Sequence, residues 1–194
     1  MPVPDLASLS ALTAYALLAA LVFAESGILL GFFLPGDTVL FAAGLLSGGA
    51  DPQLSLAVLL PVVLVAAVAG DAVGYWFGRK AGPLADRGGR VLNTVNLARA
   101  ERFYDRYGAF AIVAGRWIPW VRTLTPILAG AARMPYRAFL PANVVGAVCW
   151  GAGLLVLGHL AASIPALKHV AAAVAIAFIV GSAVAAAVRV RRPH

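Results

Sequence analysis

Charge is what this sequence has least of. Aspartate and glutamate number 8 in 194 residues, and charged side chains make up 12% against 62% hydrophobic. A soluble domain carries about 25% charged residues. With a mean hydropathy of +0.90, the balance argues against a water-soluble enzyme and for a polytopic membrane protein. The single cysteine, Cys149, lies in apolar sequence. It rules out a disulfide framework within one chain and reads as a small buried filler. No Lys or Arg precedes Arg79, so the basic region of a signal peptide is missing and residues 1–24 are expected to be retained. The histidines, His159, His169 and His194, stand apart from any Ser or Asp cluster, and no His-Glu-x-x-His, P-loop or dinucleotide motif is present. The expectation is therefore a protein that is not an enzyme and uses neither cofactor nor metal.

What is present is an ordered set of apolar segments, at about 7–24, 26–48, 54–78, 109–132, 138–161 and 166–188. A span takes about 20 residues, and 54–78, 138–161 and 166–188 qualify directly. Segments 26–48 and 109–132 are long enough, but proline breaks each near its middle. Leu34-Pro35-Gly36-Asp37 is a turn signature, because Pro fixes φ and Gly permits reversal, and Trp117-Ile118-Pro119 with Pro126 interrupts the other. Each reads as a re-entrant helical hairpin, with tips at Pro35, Gly36 and Pro119.

Basic residues cluster in the linker 80–108 and its flank (Arg79, Lys80, Arg87, Arg90, Arg99, Arg102, Arg106) and in the tail (Arg189, Arg191, Arg192). They flank apolar spans, so the positive-inside rule accounts for them better than nucleic acid binding does, and they suit anionic lipid head groups. With linker and tail both cytoplasmic, the count of crossings closes only if 109–132 enters and leaves on the same side. Hairpin 26–48 then dips in from the outer side. Residues 7–24 are compatible with crossing or with lying in the interface. Within the linker, Leu97 to Tyr107 has alternating charge with Phe103, Tyr104 and Tyr107, and is expected to be a helix on the cytoplasmic surface.

An internal repeat pairs Leu34-Pro35 through Gly44 with Ile118-Pro119 through Gly130, and Asp71-Ala-Val-Gly74 with Asn143-Val-Val-Gly146. In this topology the copies run in opposite directions. Inverted repeats with broken helices meeting at mid-membrane are a transporter signature. The expected fold is all-α, an inverted repeat with two facing re-entrant hairpins plus transmembrane helices, in one domain over 1–194. Repeat 1 covers about 20–79, repeat 2 about 109–162, and a C-terminal helix 166–188.

The charges inside these segments are the candidate site. An ionisable side chain at the membrane centre costs about 2.5–3.5 kcal/mol on insertion scales and marks function by default. Arg116 and Arg122 would lie roughly 240° apart on an unbroken helix at 100° per residue. The proline break frees both to converge on one anion, which guanidinium groups grip bidentately. Glu25 and Asp37 can neutralise the arginines or exchange protons, since burial and nearby Arg shift a carboxylate pKa in opposite directions. Asp37 also suits an N-cap after Pro-Gly. Asp71, Asn143 and Thr123 are expected to brace the hairpin tips. Gly27, Gly31, Gly70, Gly74, Gly78 and Gly146 fit close helix packing. Trp76, Trp117, Trp120 and Trp150 suit packing or interfacial anchoring. His159 and His169 read as exposed residues near an outer loop.

These motifs resemble the DedA family, whose domain is also called the SNARE-associated or VTT domain. The resemblance rests on Glu25 with Phe33-Leu-Pro35-Gly36-Asp37, Gly70-Asp71-Ala-Val-Gly74-Tyr-Trp-Phe-Gly78-Arg79, Phe103-Tyr104-Asp-Arg106-Tyr-Gly108, Gly115-Arg116-Trp-Ile-Pro119-Trp-Val-Arg122-Thr, and Asn143-Val-Val-Gly146 with Trp150. It covers about residues 20–162; Trp117 and Trp120, and a short N-terminus, are departures. The resemblance implies lipid translocation in a bacterial cytoplasmic membrane. The implied cargo is a polyprenyl phosphate such as undecaprenyl or decaprenyl phosphate, moved for carrier recycling and in some members linked to the proton motive force. An uncoupled phospholipid scramblase is the alternative it leaves open, and a non-transporting membrane scaffold the second. The implied partners are the substrate lipid and bulk membrane lipids, with homo-oligomer formation left open.

Overall fold

A computed structural model describes residues 6–27, 36–82 and 94–164. Among these residues the chain is helical: α1 (Leu6–Gly27), α2 (Gly36–Ser47), α3 (Leu56–Ala81), α4 (Thr94–Gly115), α5 (Pro119–Ala131), α6 (Tyr136–Ala147), a π-helical turn (Val148–Ala152) and α7 (Gly153–Ala162). Three stretches are long and apolar enough to cross a membrane, Ser10–Gly27, Leu56–Ala81 and Tyr136–Ala162. Their outer faces carry Leu12, Leu17, Val65, Phe77, Val145 and Leu157, all exposed. Large apolar side chains exposed along helices of this length suit lipid and not water. Pro35, residues 83–93, the C-terminal helix expected at 166–188 and His169 lie outside the described residues.

The described residues divide into two compact units. The first comprises 6–18, 36–61 and 153–164. In it α2 packs on α7 through glycines: a Cβ on Gly44 would stand 2.3 Å from the Leu155 carbonyl oxygen, and one on Gly158 2.2 Å from that of Phe41. The Ser47 hydroxyl donates to the Gly44 carbonyl at 2.7 Å and lies 3.0 Å from the His159 Nδ1. His159, expected to be an exposed bystander, is thus a half-buried contact of α2. Asp37 occupies the first turn of α2.

The second unit comprises 19–27, 62–82 and 94–152. Its core gathers Tyr75, Ile112, Ala129, Met134, Phe139 and Ala142, with the Tyr75 and Phe139 rings stacked at 4.8 Å. The segment expected as hairpin 109–132 is a helix–turn–helix. Gly108 (φ 54°, ψ −134°) interrupts α4, and the chain turns over Arg116–Ile118 into α5. The apex therefore precedes Pro119, which opens α5 at its first helical position. Proline suits that place because its missing N–H would be unpaired there anyway.

The end of α5 closes in a Schellman arrangement, with Met134 N–H donating to Ala129 O and Arg133 N–H to Gly130 O, both at 3.0 Å. The Tyr75 hydroxyl of α3 donates to the Met134 carbonyl, which pins that end. Glycines let α5 touch α3: a Cβ on Gly130 would lie 1.9 Å from Tyr75 O, and one on Gly78 1.9 Å from Ile127 O. Gly27 of α1 meets Gly70 of α3 in the same way, at 2.8 Å. The expected span 138–161 runs through the π turn. Cys149 in that turn is exposed, a correction to its reading as buried filler: the wide turn directs it outward while the neighbouring Trp150 is buried.

Candidate functional site

The second unit brings four of the candidate charged residues together. Glu25 comes from the last turn of α1, Asp71 from α3, Arg116 from the α4–α5 turn and Arg122 from the first turn of α5. Arg122 Nη2 donates to Glu25 Oε1, and Arg116 Nη2 to Asp71 Oδ2. Glu25, Asp71 and Arg116 are buried and Arg122 nearly so. Each charge thus has an opposite charge beside it, the condition under which ions persist in a low-dielectric interior.

Beneath both guanidinium groups lies the Trp150 ring. Its centroid is 4.8 Å from Arg122 Cζ and 5.8 Å from Arg116 Cζ, within cation–π range for each. The π turn places it there, and such turns recur at functional sites. Glu25, Ser26, Asp71, Arg116, Arg122 and Trp150 line a cavity of about 10 Å³. That is room for about one water and too little for a phosphate group. The Arg116 Nη1 is a buried donor with no acceptor among the described residues.

The remaining candidates sort differently. Asp71, expected to brace a hairpin tip by hydrogen bonding, meets the α4–α5 turn as the ion partner of Arg116. Asn143 Nδ2 donates to the Val68 carbonyl of α3 at 3.3 Å, so it ties α6 to α3 and not to the α4–α5 turn. Thr123 is buried in α5. Thr125 Oγ1 donates to Val121 O at 2.7 Å. A Cβ on Gly115 would stand 2.9 Å from the Thr125 Oγ1, so glycine lets α4 and α5 close up beside the turn. Gly146 makes space for the Arg116 stem, with a Cβ there 2.8 Å from Cδ. Asp37 belongs to the other unit, as does Gly36. Tyr104 of α4 donates its hydroxyl to the Thr125 carbonyl at 3.1 Å. Burial pushes that phenol above its usual range, so it stays a neutral donor.

Trp150 and Ser26 are the site residues that sequence reasoning did not assign to the site. Trp150 stands with Asn143-Val-Val-Gly146 among the motifs and reads as packing or interfacial anchoring, without a role beside the arginines; its place seven residues after Asn143 was the available signal.

These elements define a polytopic helical membrane protein with a buried, charge-balanced cluster between its helices. Residues 34–160 match the VTT domain. The chain is 37% identical to an uncharacterised membrane protein of Mycobacterium tuberculosis over 147 residues, 75% of this chain and 64% of that protein. It is 34% identical to protein DedA of Escherichia coli over 156 residues, 79% of this chain and 71% of that one. It is also 38% identical to an uncharacterised membrane protein of Mycobacterium bovis over 161 residues, 80% and 72% of the two chains. The chain belongs to the DedA family of VTT-domain membrane proteins. It spans 64% of the length of the M. tuberculosis relative. No solved structure matches it.

Proposed function

We propose that the chain translocates a lipid phosphate, a polyprenyl phosphate in particular, across the bacterial cytoplasmic membrane. Arg116 and Arg122 take the phosphate while the hydrocarbon tail stays in lipid. One observation carries this reading: both arginines rest on the Trp150 ring, each held by its own carboxylate, around one small cavity. Guanidinium groups stay protonated and match phosphate bidentately, and Arg116 has a donor to spare. The cavity is too small for cargo as it stands. Loading therefore exchanges carboxylate partners for phosphate oxygens, and a displaced Glu25 or Asp71 becomes able to take a proton. Asp37 is a further candidate for that coupling.

In this reading segments 26–48 and 109–132 are re-entrant hairpins of an inverted repeat. The linker 80–108 and the C-terminus face the cytoplasm, and the chain moves its lipid without altering it chemically. The test is reconstitution into proteoliposomes, comparing polyprenyl phosphate with ordinary phospholipids, with and without a proton gradient. Arg116→Ala and Arg122→Ala should each lose transport of the polyprenyl phosphate. Full transport by both variants overturns the reading, and equal movement of both lipids without a gradient identifies an uncoupled scramblase instead.

A further inference from the structure

The first part of α4, before the break at Gly108, uses two of its sides for different purposes. Its inward side carries Ala100, which is buried, and Tyr104, which bonds to α5. At about 100° per residue, Val95, Arg99, Arg102, Phe103, Arg106 and Tyr107 fall within an arc of about 140°, and all six are exposed. Glu101 and Asp105 take register positions outside that arc. The three arginines therefore share their arc with apolar and aromatic side chains. Within it the Arg106 Cζ lies 5.5 Å over the Tyr107 ring. The Phe103 and Tyr107 rings are 5.0 Å apart, and Arg102 Nε donates to Ala98 O at 3.1 Å. Past Gly108 the helix resumes through the exposed Phe110.

We infer that this arc is a docking face for anionic lipid headgroups of the membrane in which the chain sits. Arg99, Arg102 and Arg106 meet the headgroup charge, and Phe103 and Tyr107 enter the interface beside them. A helix bathed in water gains only weak surface contacts, such as that of Arg106 with Tyr107, from gathering its aromatic residues among its cations. A helix lying on an anionic leaflet gains from both. Gly108 has the backbone to let such a helix end and a second one start: its φ of 54° is unfavourable for other residues, and nothing lies within 4 Å of where a Cβ would be. The occupant is the leaflet and not a soluble anion, because an anion would engage the arginines and leave Phe103 and Tyr107 exposed to water. This inference requires only that the chain sits in a membrane, and it stands apart from the lipid-phosphate reading.

The test uses the full chain in nanodiscs of phosphatidylcholine alone or mixed with phosphatidylglycerol, with amide hydrogen exchange followed across 95–107. Each arginine at an anionic leaflet is worth about fivefold in partitioning, so three set a ceiling on the order of 100-fold. Exchange should slow by about tenfold or more in the anionic discs, and added salt should reduce the effect. R99Q/R102Q/R106Q should erase the difference, whereas lysine at the same positions should keep most of it. Phe103→Ser with Tyr107→Ser should lower protection in both disc types. Unchanged exchange across 56–81 in each variant shows that the fold is intact. Equal exchange in the two disc types, or protection that survives the glutamine variant, overturns the inference. Protection that appears only in discs holding two copies assigns the face to self-association and overturns it as well.

Discussion

Glu25 and Arg122 stand 97 positions apart in the chain and form an ion pair in the second unit. Removing one member leaves the other charge buried without its ion partner, which costs about 3–5 kcal/mol. Glu25→Gln and Arg122→Gln should therefore each lower thermal stability in detergent. The double variant should recover much of that loss while still failing to move lipid. Additive losses would mean that the two residues do not act as a pair.

Gly146→Ala tests the space beside Arg116. The new methyl would crowd the Arg116 Cδ at 2.8 Å and make only ordinary contact with the backbone, at 3.6 Å from Val113 Cα. Stability should fall by about 1–3 kcal/mol, as the Arg116 stem shifts over Trp150 while its guanidinium stays within reach of Asp71. Lipid transport should drop far more than the melting temperature does. Wild-type transport by this variant would show that the position of the Arg116 stem does not matter.

The indole beneath both arginines yields a graded series. Trp150→Phe keeps an aromatic face and should retain most transport. Trp150→Leu keeps bulk alone and should lose about tenfold, the equivalent of roughly 1.4 kcal/mol of cation–π attraction. If Leu and Phe behave alike in the transport assay, the ring serves packing only.

Arg133 closes the C-terminal end of α5 at φ 55°, a conformation that disfavours a side chain. Arg133→Gly should stabilise the protein by about 1 kcal/mol, read as a higher melting temperature. A drop in melting temperature would mean that the guanidinium makes a stabilising contact outweighing the backbone strain.

Apolar runs, their proline breaks and the charges inside them were legible in the sequence, because membrane burial makes each of those features costly unless it is used. The all-helical character, the helix from Leu6 to Gly27 and the close glycine contacts of Gly27, Gly70 and Gly78 follow from that pattern. Which acid meets which arginine was not legible. Asp71 was expected, with Asn143, to brace a hairpin tip by hydrogen bonding; it meets the α4–α5 turn as the ion partner of Arg116, and that choice of partner is set by how α3 packs against the turn, which no local pattern encodes. The apex before Pro119 was within reach, since proline favours the first position of a helix over its preceding turn. The π turn had no signal of its own: Val148–Ala152 reads as ordinary apolar helix.

That π turn has a consequence of counting. An α-helix advances about 100° per residue, and the wide turn takes up one residue more than an α turn would. The number of residues between Asn143 and Trp150, and not their identity, then sets the phase at which the indole meets the arginines. Cys149 or Val148, both facing outward, should accept other apolar side chains with little effect on transport. Inserting one apolar residue after Ala147, ahead of the wide turn, should swing Trp150 about a quarter turn off its arginines and abolish transport, with the apolar character of the span left intact.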